Sequence, residues 1–142
     1  MNFDRILVVC AGNICRSPMA EGLLKATFPS KKVHSAGIVG MVGHAADPLS
    51  VRYMNEIGVD ISQHRARQLD QNILRDADVI LAMSQEQVRI IEHTWPFTRG
   101  KVLRLCHWNA KAVPDPYQQP EAAFALVRDL VVQGVRDWEK RI

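Results

Sequence analysis

Four short apolar runs alternate along the chain with longer segments in which apolar and polar residues recur at helical spacing. The runs comprise residues 6–9, 33–36, 79–82 and 102–105. Short apolar runs separated by amphipathic segments are typical of parallel strands joined by crossover helices. The pattern therefore predicts an α/β protein with a doubly wound, four-stranded parallel sheet and helices on both faces.

Three helix starts are marked by capping residues. Asp47 before Pro48 predicts an N-cap followed by a proline in the first turn. Ser84 and Gln87 have the spacing of a capping box, and Pro120 marks a third start. The last predicted helix carries apolar residues three or four positions apart, as a core-packing helix does: Phe124, Val127, Val131, Val135 and Trp138.

Composition and charge narrow the class of protein. With 142 residues and 47% hydrophobic content, the chain is expected to form a single domain over residues 1–142. A net charge of +3 gives no indication of nucleic-acid or membrane binding. The apolar run at residues 6–11 is too short for a membrane span, and the first five residues lack a secretory signal. Three cysteines, an odd number, fit a reducing compartment, so we expect a cytoplasmic protein.

A candidate anion-binding loop connects the first predicted strand to the first predicted helix. Cys10 ends the strand, and Arg16 stands just before a helix that is expected to open at Ser17. A loop in this position aims several amide N–H groups inward and so binds oxyanions. Gly12 and Asn13 both tolerate positive φ, which such a reversal requires.

The same loop favours a reactive thiolate at Cys10. Cysteines at helix N-termini near arginine can have a pKa of roughly 3.5 to 7.5 instead of about 8.5. Lowering a pKa by about three units requires ~4 kcal/mol, whereas a helix dipole supplies only about 1 kcal/mol. Hydrogen bonds to the thiolate must provide the rest, and the Ser17 hydroxyl is a nearby donor. Arg16 adds a planar fork that matches two phosphate oxygens.

Asp115 is a candidate general acid. It lies between Pro114 and Pro116, which stiffen the backbone, although this pattern taken alone is ordinary turn chemistry. A general acid must be protonated when the leaving group departs, and the reference pKa of an aspartic acid is about 3.9. We expect burial beside the phosphate dianion to raise that pKa.

No metal site is predicted. Cys10 and Cys15 have four residues between them, not the two of a zinc hairpin, and the five histidines are scattered. A phosphate-binding module without turnover is an alternative, but the chain has neither G-x-G-x-x-G nor G-K-[ST]. Binding alone would also leave Cys10 unexplained.

Four segments carry a resemblance to a known family. Residues 10–21 read C-A-G-N-I-C-R-S-P-M-A-E, and S-A-G, H-R-A-R-Q and D-P-Y follow at residues 35–37, 64–68 and 115–117. Over nearly the whole chain, the sequence resembles the low-molecular-weight protein tyrosine phosphatases. The resemblance implies hydrolysis of phosphotyrosine by double displacement, without a metal or an organic cofactor.

The resemblance also implies a role for individual residues. Cys10 would be the nucleophile that becomes phosphorylated, Arg16 would bind the phosphate, and Asp115 would act as general acid and then as base. Asn13 would hold the shape of the loop, with Ser35 and His64 hydrogen-bonded around it. The phosphate-binding loop would consist of Ala11, Gly12, Asn13, Ile14, Cys15 and Ser17.

The sequence also suggests candidate residues for the walls of the site and two alternative roles for Cys15. Tyr117, Met41 and Val42 are candidate walls for an aromatic ring. By resemblance, Cys15 can form a disulfide with oxidised Cys10, but it is equally well a small buried residue. Gln118 stands where a second tyrosine often follows D-P-Y, so regulation through paired tyrosines is not expected.

Two related enzymes are alternatives. A thioredoxin-coupled arsenate reductase needs a relay pair of cysteines, but residues 78–99 contain none and Cys106 stands alone. A protein arginine phosphatase usually has threonine at the position of Ile14. Residues 100–105 and 107–109 most resemble the bacterial branch that works beside tyrosine autokinases of exopolysaccharide export, which we expect as the phosphotyrosine protein substrate.

Overall fold

The computed structural model describes residues 3–142, and its centre is one parallel sheet. Met1 and Asn2 lie outside the described residues. They belong to the first five residues, in which no secretory signal is expected. The strands are β1 (Arg5–Cys10), β2 (Lys32–Gly37), β3 (Val79–Ala82) and β4 (Val102–Arg104), in the spatial order β2-β1-β3-β4. All paired neighbours run parallel, which confirms the predicted four-stranded, doubly wound sheet.

Five α-helices cover the two faces of the sheet. They are α1 (Arg16–Thr27), α2 (Pro48–Asn55), α3 (Gln71–Asp76), α4 (Gln85–Thr94) and α5 (Glu121–Glu139), and a short 3₁₀ helix spans Pro96–Thr98. The alternation of side chains along β1 assigns the faces. Ile6 and Val8 pack in the cluster that contains residues of α1, α2 and α5. Leu7 and Val9 pack in the cluster on the α3 and α4 side.

The predicted capping residues are found at the helix starts, with small differences. The Asp47 side chain accepts a hydrogen bond from the Leu49 N–H, and Ser84 Oγ accepts one from the Gln87 N–H. The Gln87 side chain completes the second cap differently, because its Oε1 accepts from the N–H of Met83 and not from that of Ser84. Helix α1 begins one residue earlier than the predicted start.

Helix α3 was not predicted, because it is only six residues long and lacks a helical apolar stripe. Its signal in the sequence is the N-cap Asp70, whose side chain accepts a hydrogen bond from the Ile73 N–H. The predicted apolar stripe of α5 is buried along its whole length. Among the described residues, no helix is both long and apolar enough to cross a membrane.

The stripe of α5 gives a stability prediction with an internal control. Phe124 is buried at 1% exposure, whereas Leu126 on the opposite side of the same helix is 53% exposed. Phe124→Ala leaves a cavity in the core and should lower the free energy of unfolding by about 3–5 kcal/mol. Leu126→Ala should change it by less than about 0.5 kcal/mol. Urea unfolding of the two variants measures the difference, and equal losses would contradict this packing.

Candidate active site at the end of strand β1

Cys10 is the last residue of β1, at the carboxyl edge of the sheet. The chain crosses from β1 to β2 on one side, and β3 lies on the other side of β1. Ligands of doubly wound folds bind at this edge, where the strand order reverses. The loop of residues 11–15 starts there and leads directly into α1.

Every main-chain carbonyl from residue 10 to residue 15 accepts a hydrogen bond from another part of the chain. The N–H groups of Ile38, Val39 and Met41 donate to the carbonyls of residues 10, 11 and 12 at 2.9–3.0 Å. The next three carbonyls are bound by His64 Nε2 at 2.7 Å, the Asp47 N–H at 2.8 Å and Ser50 Oγ at 3.3 Å. In the described part of the chain, the N–H groups of residues 11–15 have no protein acceptor. The loop is therefore a nest of free donors, as an oxyanion requires.

Asn13 fixes the conformation of the loop. It is fully buried, with φ at 62°, and both the nitrogen and the oxygen of its side chain are hydrogen-bonded. Nδ2 donates to Ser17 Oγ at 2.7 Å and to Ser35 Oγ at 2.9 Å, while Oδ1 accepts from the Arg67 N–H at 2.8 Å. Of the two loop residues that tolerate positive φ, Asn13 adopts it and Gly12 does not.

The bonds from Asn13 set the direction of two hydroxyl groups. Because Ser17 Oγ and Ser35 Oγ each accept a hydrogen from Asn13, each hydroxyl hydrogen is free to point elsewhere. The hydroxyl of Ser17 lies 2.9 Å from Cys10 Sγ, so it can donate to a thiolate. Ser35 donates to the carboxylate of Glu21. Glu21 was not among the predicted site residues, although it is in the quoted motif.

Arg16 is held in place while its Nε has no hydrogen-bond partner among the described residues. It is 5% exposed, its Nη1 donates to the carbonyl of Val113 at 3.0 Å, and its Nη2 lies 3.6 Å from Asp115 Oδ2. In the described chain, Arg16 Nε is the one buried side-chain nitrogen or oxygen that has no hydrogen-bond partner. Such a donor is costly unless a ligand accepts from it.

Asp115 lies close to the loop, as predicted, but it is not buried. Its side chain is 48% exposed, and its Oδ1 accepts a hydrogen bond from the Tyr117 N–H at 3.1 Å. The expected burial is therefore not provided by the protein alone. A substrate seated over Arg16 would be needed to cover this carboxylate.

A cleft of about 200 Å³ opens over these groups. Met41 and Tyr117 line it, as predicted, but Val42 does not. A turn at residues 42 and 43 leaves Val42 66% exposed, and Val39 lines the wall instead. The lining residues are Cys10, Ala11, Gly12, Ile14, Cys15, Arg16, Val39, Met41, Asp115 and Tyr117.

Residues 5–142 match the family of low molecular weight phosphotyrosine protein phosphatases. The chain belongs to this family. It is 52% identical over 142 residues to the low molecular weight protein-tyrosine-phosphatase Ptp of Acinetobacter johnsonii, covering all of both chains. It is 40% identical over 141 residues to Wzb of Escherichia coli strain K12, another low molecular weight protein-tyrosine-phosphatase, covering 99% of this chain and 96% of Wzb.

A solved structure extends the comparison to three dimensions. Vibrio vulnificus Wzb in complex with benzylphosphonate is 35% identical and has a TM-score of 0.96, with 99% of this chain and 100% of that chain covered. The fold and the family inferred from the sequence motifs are thereby confirmed. The protein is a protein-tyrosine-phosphatase and thus a hydrolase.

The second cysteine of the phosphatase loop is kept in its protonated form. Cys15 is buried at 2% exposure, at the N-cap of α1. Burial, and after it the nearby carboxylate of Asp47, raise the pKa of Cys15 from 9.0 to about 12. A thiol in this state is a poor nucleophile at neutral pH.

The raised pKa of Cys15 predicts its reactivity and its effect on stability. Iodoacetamide should leave Cys15 unmodified in the folded phosphatase from about pH 7 to pH 10, which peptide mass spectrometry can measure. In the unfolded chain this thiol loses its proton near pH 9, before the folded protein does. The free energy of unfolding should therefore fall as pH rises from about 9 towards 12, and less steeply in Cys15→Ala. Rapid modification of Cys15 at pH 8 would contradict this assignment.

Proposed function

We propose that the phosphatase hydrolyses phosphotyrosine through a phosphocysteine intermediate on Cys10. The observation that carries this proposal is the set of unpaired donors beside the Cys10 sulfur. They comprise the N–H groups of residues 11–15 and the buried Nε of Arg16. A phosphoryl group is the kind of ligand whose oxygens can accept from all of them at once.

In the first step, the Cys10 thiolate attacks phosphorus in line with the departing phenolate. The S–P bond forms as the P–O bond to the tyrosine breaks, and Asp115 gives its proton to the phenolate oxygen. The nest and Arg16 hold the three equatorial oxygens, where charge is spread in the transition state. The Ser17 hydroxyl, 2.9 Å from the sulfur, stabilises the thiolate before attack.

In the second step, water attacks the phosphocysteine. Asp115, now a carboxylate, accepts a proton from that water as the O–P bond forms and the S–P bond breaks. Inorganic phosphate leaves, and Cys10 returns to the thiolate. Every step uses side chains and main-chain donors of this chain, so we propose that no metal or organic cofactor takes part.

The cleft favours an aromatic substrate. Ile14 is buried at 7% exposure and contributes an apolar surface to the cleft, opposite to what a guanidinium group requires. Met41 and Tyr117 add surfaces suited to a ring. These residues support phosphotyrosine over phosphoarginine as the substrate.

The physiological partner is proposed from the relatives and the sequence resemblance. We take the substrate to be a bacterial tyrosine autokinase of exopolysaccharide or capsule production. The support is the resemblance of residues 100–105 and 107–109 to that branch, together with 40% identity to Wzb. The phosphatase would remove phosphate from tyrosines of this kinase.

Hydrolysis of p-nitrophenyl phosphate in the presence of EDTA tests the cysteine mechanism. Wild type should turn over between about pH 5 and pH 8, and Cys10→Ser should lose this activity because a serine hydroxyl is a much weaker nucleophile. Cys106→Ser makes the same change at a buried cysteine outside the cleft and should keep the activity. Turnover that survives Cys10→Ser, or that EDTA removes, would refute the proposal.

The role of Asp115 as general acid can be tested with two substrates whose leaving groups differ in basicity. Asp115→Asn should lower kcat on phenyl phosphate by roughly 10²–10⁴, because phenolate leaves poorly without a proton. The loss on p-nitrophenyl phosphate should be much smaller, since nitrophenolate needs little protonation. Steady-state kinetics on the two substrates measure the difference. Equal losses would show that Asp115 does not act as the acid.

A further inference from the structure

A second cleft lies away from the catalytic loop, at the amino-terminal end of β1 and β2. It has a volume of about 340 Å³, near the lower end of the range of about 300–1,000 Å³ for small-molecule sites. Neither Cys10 nor any residue of the loop 11–17 contributes to it. Its lining consists of Arg5, Ile6, Leu7, Lys32, His34, Arg67, Asn72, Ile73, Asp76 and Ala77.

The short helix α3 explains why the cleft exists. Its six residues rise only ~9 Å, whereas the six residues of the edge strand β2 extend over ~20 Å. Helix α3 packs over β1, and on that face of β2 Lys32 and His34 are exposed while Ala36 is buried. Register pairs Arg5 with Lys32 and Leu7 with His34, so Lys32 and His34 emerge on the same face as Leu7, beside α3.

The charges in this cleft are unbalanced. Its lining contains three permanent cations, Arg5, Lys32 and Arg67, and one carboxylate, Asp76. That is an excess of two positive charges, against three for the whole chain. Asp76 lies 3.6 Å from Arg5 and is 83% exposed. In the described chain, Lys32 and Arg67 have no carboxylate partner within 4.0 Å.

The floor between the cations is apolar. Ala77 is buried, Ile73 is half-buried, and both line the cleft with Ile6 and Leu7. A ligand that satisfies both features combines a phosphate dianion with a flat aromatic ring. The lining contains no cysteine, serine or threonine, so it lacks the thiol or hydroxyl nucleophile that would hydrolyse such a ligand in the way proposed for Cys10.

We infer that this cleft, between α3 and the β2 edge, is a second, non-catalytic binding site for a ligand that combines a phosphate monoester with an aromatic ring. The ring lies against Ile73 and Ala77, and the phosphate is bound by Lys32 and Arg67 with His34 beside them. A phosphotyrosine side chain and a nucleoside monophosphate share this chemistry. The inference does not depend on the proposed mechanism at Cys10.

Amide NMR of the ¹⁵N-labelled phosphatase tests the inference with three probes: benzylphosphonate, AMP and inorganic phosphate. We expect benzylphosphonate or AMP to shift the amides of residues 32–34 and 72–77 with a titration midpoint different from that of residues 11–17. Tighter binding of benzylphosphonate assigns the site to phosphotyrosine, and tighter binding of AMP assigns it to a nucleotide. Shifts confined to residues 11–17, or equal affinity for inorganic phosphate, would overturn the inference.

Two matched variants separate the site from the effect of net charge. Lys32→Ala removes a cation from the cleft and should weaken binding there at least fivefold, while p-nitrophenyl phosphate hydrolysis stays within twofold of wild type. Arg89→Ala removes an exposed cation from α4, outside the cleft, and should change neither quantity. An equal loss of binding in both variants would show a general charge effect and contradict the site. Binding in the cleft that is unchanged in Lys32→Ala would also contradict the site, whatever happens to hydrolysis.

Discussion

The carbonyl groups of residues 10–15 all bind donors outside the loop, and the rest of the active site depends on this restraint. Six donors from four separate segments hold them: residues 38–41, Asp47, Ser50 and His64. A carbonyl that turned inward would place a partial negative charge where the proposed mechanism places the phosphate. With all six held outward, the N–H groups between them converge on one point without reorganising when the anion arrives.

The glycines next to the loop allow these donors to come close. A Cβ on Gly37 would lie 2.7 Å from the carbonyl oxygen of Ala11, and one on Gly40 would lie 2.4 Å from that of Arg67. Neither residue contacts the substrate cleft. They let the segment after β2 lie against the loop on one side and against residues 66–68 on the other. Main-chain packing, more than side-chain chemistry, thus shapes the anion site.

Arg16 shows how a buried charge can be stabilised and still be available. Two of its nitrogens are near protein oxygens, the Val113 carbonyl and the Asp115 carboxylate, and Nε has no partner. The guanidinium is therefore oriented before the substrate binds, which reduces the entropy lost on binding. The family match and the 52% identity to an Acinetobacter phosphatase identify the protein as a protein-tyrosine-phosphatase. The position of Arg16 is consistent with that activity.

The strands, most helix starts, the buried stripe of α5 and the residues of the loop could be predicted from the amino-acid sequence. These features are encoded in short windows, through alternating burial, capping residues and turn-forming residues. Folding was needed to show that Val113 orients Arg16 across 97 positions and that Arg67 holds Asn13 across 54. The same is true of three other features: Val39 lines the cleft in place of Val42, Asp115 is half exposed, and Lys32 and His34 of β2 are exposed beside α3. Such contacts depend on how the crossover segments pack, and no local pattern specifies which distant carbonyl or side chain meets a given residue.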